Sequence, residues 1–210
     1  MQVFLIRIGY NATVTPMAGS SSAATAGRIL DIAERLVQTR GFNGFSYADI
    51  SAELRIRNAS VHYHFPSKSD LGKCLVGRYR ENFMGALADL ERESGDARRR
   101  LRRYVGLWTG VLRDRDRMCL CGMMAADIAT LPKPVRGEIK RFFDDNEAWL
   151  VRVMEHGRKA KTIRLAATPE IEARLLTMGL EGAMLVARSY GEPRRFEEIA
   201  DRLLAGLGVA

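Results

Sequence analysis

Residues 45–71, FSYADISAELRIRNASVHYHFPSKSDL, constrain the fold most, because they carry start and stop signals for two short helices only a few residues apart. Ser46 is followed three residues later by Asp49, the spacing in which a hydroxyl caps an orphan amide and the carboxylate reaches back to the cap. A first helix is therefore predicted from Ser46 to about Leu54. Ile50 and Leu54 lie a turn apart on its inner side, and Ile56 plugs the turn Arg55-Ile56-Arg57. A second helix is predicted to begin at Asn58, a good N-cap residue, and to stop at Pro66.

At about 100° per residue, Val61, Phe65 and more loosely His64 point to one side of this second helix, and Ala59, Ser60, His62 and Tyr63 to the other. Small residues at the leading end, followed by polar and aromatic ones, suit an element that enters a DNA major groove by its N-terminus. Ser67 is predicted to cap the next helix, with Lys68 in its first turn. A cation is unfavourable there for the helix dipole, and a DNA phosphate at that helix start would account for it. The expected phosphate contacts are Ser46, Tyr47 and Lys68, assisted by His62 and His64. Asn58, Ala59, Ser60 and Tyr63 are expected to face the bases.

With Phe42 to Leu71 at matching spacing, and the run His64-Phe65-Pro66-Ser67-Lys68-Ser69-Asp70-Leu71 as its most specific part, the stretch resembles the DNA-binding domain of the TetR/AcrR family of transcriptional regulators. The sequence departs from the family pattern at Arg55, where Gly is usual in the turn, at Ala59, which replaces a common Gly, and at His62, which replaces a common Tyr. Arg55 is accordingly expected to carry a positive φ at a cost of roughly 1 kcal/mol.

The chain has 210 residues and a formal net charge of +8. Residues 1–80 hold ten Lys/Arg against five Asp/Glu and the other 130 hold 23 against 20, so the positive excess is denser at the amino-terminal end. Three cysteines, two of them next-but-one neighbours, argue for a reducing, cytoplasmic setting rather than a secreted disulfide framework. No apolar run approaches the roughly 20 residues of a membrane span.

The expected organisation is all-α with about nine helices. Residues 1–22 read as a flexible tail, in which Met17 is a candidate true start. Residues 23–68 read as a three-helix helix-turn-helix domain whose first helix covers about 25–40. Residues 69–210 read as a ligand-binding and dimerisation domain. In that domain Gly95-Asp96 opens a helix rich in arginine (Arg98, Arg99, Arg100, Arg102, Arg103), read as a solvated face. Thr168-Pro169 opens another, and the last helix repeats Phe196, Ile199, Ala200, Leu203, Leu204 and Leu207 on one face. The last two helices are more apolar than one small domain needs, and the resemblance implies that they form a four-helix interface between two copies.

The resemblance also implies a small-molecule effector held among the downstream helices. Candidate lining residues are Phe83, Trp108, Cys119, Met123, Asp127, Phe142, Asn146 and Trp149, which suit an apolar or aromatic ligand. Cys119, with Cys121 nearby, admits an electrophile as the alternative signal. No catalytic, metal or cofactor site is expected. Asp144, Asp145 and Glu147 lie off the apolar stripe of their helix, His62 and His64 diverge, and His156 is isolated. The expected function is a ligand-responsive repressor that binds a palindromic DNA operator as a homodimer. The alternative is a dimeric small-molecule-binding protein that has lost operator binding.

Overall fold

The computed structural model describes residues 20–114 and 117–209, and every regular element among them is helical. The helices are α1 (Ser20–Arg40), α2 (Tyr47–Leu54), α3 (Asn58–His64), α4 (Lys68–Glu93), α5 (Ala97–Arg113), α6 (Leu120–Ala126), α7 (Lys133–Lys159), α8 (Pro169–Tyr190) and α9 (Pro193–Gly206). Single 3-10 turns occupy Phe42–Gly44 and Ile128–Thr130. None of the described helices is long and apolar enough to cross a membrane. The expectations about residues 1–16 and Met17 lie outside the described residues.

Helix ends follow the local chemistry. Asp96 accepts from the Arg98 and Arg99 amides at 3.1 and 3.3 Å and so starts α5. Thr168 accepts from the Ile171 amide at 3.4 Å, with Pro169 as the first helical residue of α8, and Gly191 at φ 67° ends that helix. The largest boundary difference is α1, which is already helical at Ser20 although the serine- and alanine-rich segment before residue 25 reads as flexible. Alanine is the strongest helix former, and nothing in that segment breaks a helix.

The chain divides into two compact units. One comprises the residues up to Arg80 together with Leu120–Lys140, and the other Glu81–Cys119 with Arg141–Ala210. The amino-terminal unit is thus larger than the expected 23–68. Its core joins Ile29, Ala33 and Val37 of α1 with Ile50, Val61, Leu71 and Leu75, all fully buried. Burying a side chain of this size contributes roughly 1.5–3 kcal/mol relative to leaving it exposed. Helix α6 packs against α1 in the same unit and supplies further surface there. The Arg78 guanidinium adds a polar tie from α4 to α1, donating to Asp31 at 2.8 Å and to Glu34 at 3.1 Å.

In the second unit α5, α7, α8 and α9 enclose Leu101, Tyr104, Phe142, Asn146, Trp149, Leu180 and Phe196. Helix α9 approaches α8 closely at Gly179, where an added Cβ would stand 2.7 Å from a Leu203 methyl. Glycine there lets α9 lie directly on α8.

Candidate functional site

The helix-turn-helix is built as its boundary residues dictate. Asp49 accepts from both the amide and the hydroxyl of Ser46 at 2.7 Å, which starts α2 and holds the Asp49 carboxyl below its usual range. Arg55 closes α2 at φ 56°, ψ 41°, with the Ile56 amide donating to Ser51 at 3.1 Å and the Arg55 amide to Ala52 at 3.2 Å. That is the left-handed helix end usually filled by glycine, so the expected positive φ is present. The N-cap of α3 is Arg57 rather than Asn58, its carbonyl accepting from the Ser60 amide at 2.9 Å. Asn58 becomes the first helical residue, with its side chain in solvent.

The two faces of α3 separate cleanly. Val61 and Phe65 are buried, whereas Asn58, Ala59 and His62 are exposed and Tyr63 is 78 % exposed. Ser60 and His64 lie at the margin. The ring of Tyr63 meets that of His64 edge-on at 5.2 Å.

Two expected phosphate contacts sit differently from the sequence reading. Tyr47 is 8 % exposed and its hydroxyl donates to the Phe65 carbonyl at 2.9 Å. Burial, with Asp70 nearby, raises its phenol to about 12. Its proton is committed within the fold, and its ring supports His62 at a centroid distance of 4.7 Å. Lys68 likewise has a partner in its own chain. Its ammonium donates to the Phe45 carbonyl and lies 4.3 Å from the Phe45 ring centroid and 4.9 Å from that of Phe42. The cation at a helix start is therefore accounted for without a phosphate, although an ammonium has two further N–H groups to offer. Ser67 completes that helix start, its hydroxyl donating to Asp70 at 2.6 Å and accepting from the Asp70 amide at 3.2 Å.

The eight candidate ligand residues fall into two groups. Phe83, Trp108, Cys119, Phe142, Asn146 and Trp149 belong to the second unit and are all buried. Met123 and Asp127 belong to the first, where they flank Gly41, within 3.8 and 3.5 Å of a Cβ built there. In the same unit the Asn43 amide donates to the Thr130 hydroxyl at 2.9 Å. Met123 and Asp127 thus lie against the turn that leads from α1 into the helix-turn-helix.

Within the second unit Tyr104 is the hub. Its ring stacks on Trp149 at 5.7 Å and lies 6.1 Å from Trp108, with Phe83 edge-on at 6.3 Å. Asn146 donates to the Tyr104 hydroxyl at 3.0 Å. Burial raises the Tyr104 phenol well above its usual range. Thr177 and Trp108 lie beside the same phenol without completing hydrogen bonds to it, and Glu181 adds its negative charge nearby. Burial lifts the Glu181 carboxyl to about 7, opposed by the Cys119 thiol beside it.

No local pattern in the sequence marks Tyr104 or Thr177, whereas Glu181 stands out as an isolated acid in the run Leu180 to Leu185. Cys119 is 3 % exposed and Cys121 fully buried, which keeps both thiols from bulk oxidants.

Several residues weighed for other chemistry have structural partners. Arg98 donates to the Thr162 carbonyl, Arg100 to the Ser94 carbonyl at 2.6 Å, and Arg103 pairs with Glu93, so much of the arginine run fastens neighbouring segments. Glu147 accepts from Arg174 at 3.0 Å. Among the described residues no group of three or more His, Cys, Asp or Glu side chains is placed to hold a metal ion.

Two short helices, the second with its outer edge in solvent, followed by a separate helical unit with a polar cluster in an aromatic core, define a helix-turn-helix DNA-binding regulator. Residues 29–73 match the family described as bacterial regulatory proteins, tetR family, and residues 86–203 match the tetracyclin repressor-like C-terminal domain. The chain belongs to the TetR family of transcriptional regulators.

It is 26 % identical over 147 residues to the HTH-type transcriptional repressor DhaR of Mycobacterium sp. (strain GP1), covering 70 % of this chain and 73 % of that protein. A TetR-family regulator from Agrobacterium tumefaciens is 37 % identical with a TM-score of 0.86, covering 89 % of this chain and 98 % of that one. A TetR transcriptional regulator from Legionella pneumophila is 31 % identical with a TM-score of 0.79, covering 86 % and 95 %.

Proposed function

We propose that the protein is a cytoplasmic repressor that binds a palindromic operator as a homodimer and releases it when a small apolar or aromatic molecule enters the unit containing Tyr104. The observation that carries this reading is the outer edge of α3. A tyrosine 78 % exposed at Tyr63, beside exposed Asn58, Ala59 and His62, is a large apolar and hydrogen-bonding surface that faces solvent. Against base edges the same atoms have partners. Ser60, at its margin, faces the bases with them, and Ser46, His64 and Lys68 supply the phosphate contacts, with Tyr47 positioning His62 from beneath.

A dimer is supported by α8, where Ile171, Leu175, Met178, Leu185 and Val186 are between 49 % and 69 % exposed along one stripe. Gly182, in the middle of it, has open space where a Cβ would stand, so a second helix can approach closely. One short recognition helix reads few base pairs. Two on a two-fold axis read half-sites about 34 Å apart or a multiple of that.

Selecting bound fragments from random duplexes, followed by mobility shifts across a salt series, tests the reading. A regulator yields a palindromic consensus and an affinity that falls steeply with ionic strength. No consensus, with binding equal on all duplexes, would overturn it.

A further inference from the structure

The cluster around Tyr104 holds more polar atoms than the fold uses. Trp108 Nε1, Trp149 Nε1, Asn146 Oδ1, Thr177 Oγ1 and Glu181 Oε1 are all buried and complete no hydrogen bond among the described residues. Asn146 is fully buried, Trp149 is 1 % exposed and Trp108 3 % exposed, so these groups are well inside. Native proteins leave few such atoms unpaired, and five in one cluster is a departure that a core serving packing alone does not produce.

Their chemistry is mixed, and that mixture selects a ligand. The two indole N–H groups only donate, Asn146 Oδ1 only accepts, and the Thr177 hydroxyl does either. A ligand carboxylate would satisfy the indoles but face Glu181, the acid of the cluster. An ammonium would satisfy Glu181 and Asn146 but leave both indole donors unpaired and add a desolvated charge. A hydroxyl both accepts from an indole and donates to Asn146 or Glu181. The surrounding rings of Phe83 and Phe142 meet edge-on at 5.3 Å, a geometry that extends naturally to one more ring.

On the reading that this unit receives the effector, we propose that it takes an uncharged phenol, with the ring among the aromatic side chains and the hydroxyl shared between the indole N–H groups and Asn146.

The chain's two tryptophans are Trp108 and Trp149, so tryptophan emission reports from this cluster alone. The full-length protein is titrated with para-propylphenol, para-propylbenzylamine and para-propylbenzoate, reading tryptophan emission and heat of binding at pH 6 and pH 8. The expected result is saturable binding of the phenol, tighter than either charged probe at both pH values. Asn146→Leu should weaken the phenol by about tenfold or more, as expected when a buried hydrogen bond is removed. Glu181→Gln, which keeps shape and an acceptor oxygen and removes charge, should leave the phenol the tightest of the three probes.

Where Asn146→Leu fails to fold, Trp149→Phe serves as the second variant, with about a fivefold expected loss. Tighter binding of the amine, abolished by Glu181→Gln, or of the benzoate, overturns the phenol assignment but leaves this unit as the effector site. Binding of the phenol without release of the selected operator fragment upholds the ligand class and refutes the effector reading. Binding of none of the three refutes the assignment.

Discussion

The hydroxyl of Tyr47 donates to the carbonyl of Phe65 at 2.9 Å, joining the first residue of α2 to the residue that ends α3. This one bond sets the distance between the start of the supporting helix and the end of the reading helix. Tyr47→Phe keeps the ring against His62 and removes only the bond. It should cost roughly 1–2 kcal/mol of stability, because a buried carbonyl loses its donor, and lower operator affinity without changing the preferred sequence. Denaturant unfolding and mobility shifts on the consensus and on point-mismatched duplexes check both halves. A changed base preference would make Tyr47 a reader rather than a strut.

Tyr63 carries the opposite expectation, since its ring stands outside the fold. Tyr63→Ala should leave stability within about 0.5 kcal/mol, as for surface substitutions generally, and reduce discrimination at one position of each half-site. Equal weakening on all duplexes would show that its hydroxyl meets a phosphate.

Much of this region is legible in the sequence because it is written in local chemistry. Ser46 with Asp49, Ser67 with Asp70, Asp96, and Thr168 with Pro169 each start a helix through atoms only a few residues apart, and the structure has all four. The alternation of Val61 and Phe65 against Tyr63 likewise needs only the helical period. What the sequence does not display is pairing across long separations. The Lys68 ammonium finds the Phe45 carbonyl 23 residues away, and Thr177 and Glu181 come to Tyr104 only when α8 packs on α5. Met123 and Asp127 meet Gly41, far away along the chain, which no local pattern displays.

Arg55 stores backbone strain that glycine would relieve. Its φ of 56° is left-handed, and the Arg55 and Ile56 amides already make the two hydrogen bonds of that helix end. Arg55→Gly should raise stability by about 0.5–1 kcal/mol, the left-handed penalty less the added unfolded-chain entropy. Thermal unfolding measures it. A loss of stability would mean that the exposed guanidinium contributes more than the strain costs.

The stripe on α8 predicts the oligomeric state. A glutamate in place of Met178, 69 % exposed, or Leu185, 57 % exposed, should convert a dimer into a folded monomer by placing like charges across the two-fold axis. Sedimentation equilibrium reads the mass and circular dichroism the fold. A variant that remains dimeric would move the interface off this stripe.

The last expectation concerns Glu181, whose neighbours in the fold include the Tyr104 phenol and the Cys119 thiol. In the unfolded chain its carboxyl loses a proton near the ordinary value of 4.5, and in the folded protein near 7. Between those values the native state binds the extra proton, so this group's contribution to stability is greatest below the lower value. It declines as pH rises through the window and is constant above 7. The residue is partly exposed, which discounts the effect to roughly 1–3 kcal/mol. Glu181→Gln imitates the protonated form at every pH. Urea unfolding of the two proteins should therefore coincide near pH 4.5 and diverge towards pH 8, with the glutamine variant the more stable. Comparing the two at each pH cancels the opposite trend of carboxylates such as Asp49, whose folded-state value is lowered. A gap that stayed constant across the range would place the Glu181 carboxylate in solvent and remove it from the cluster.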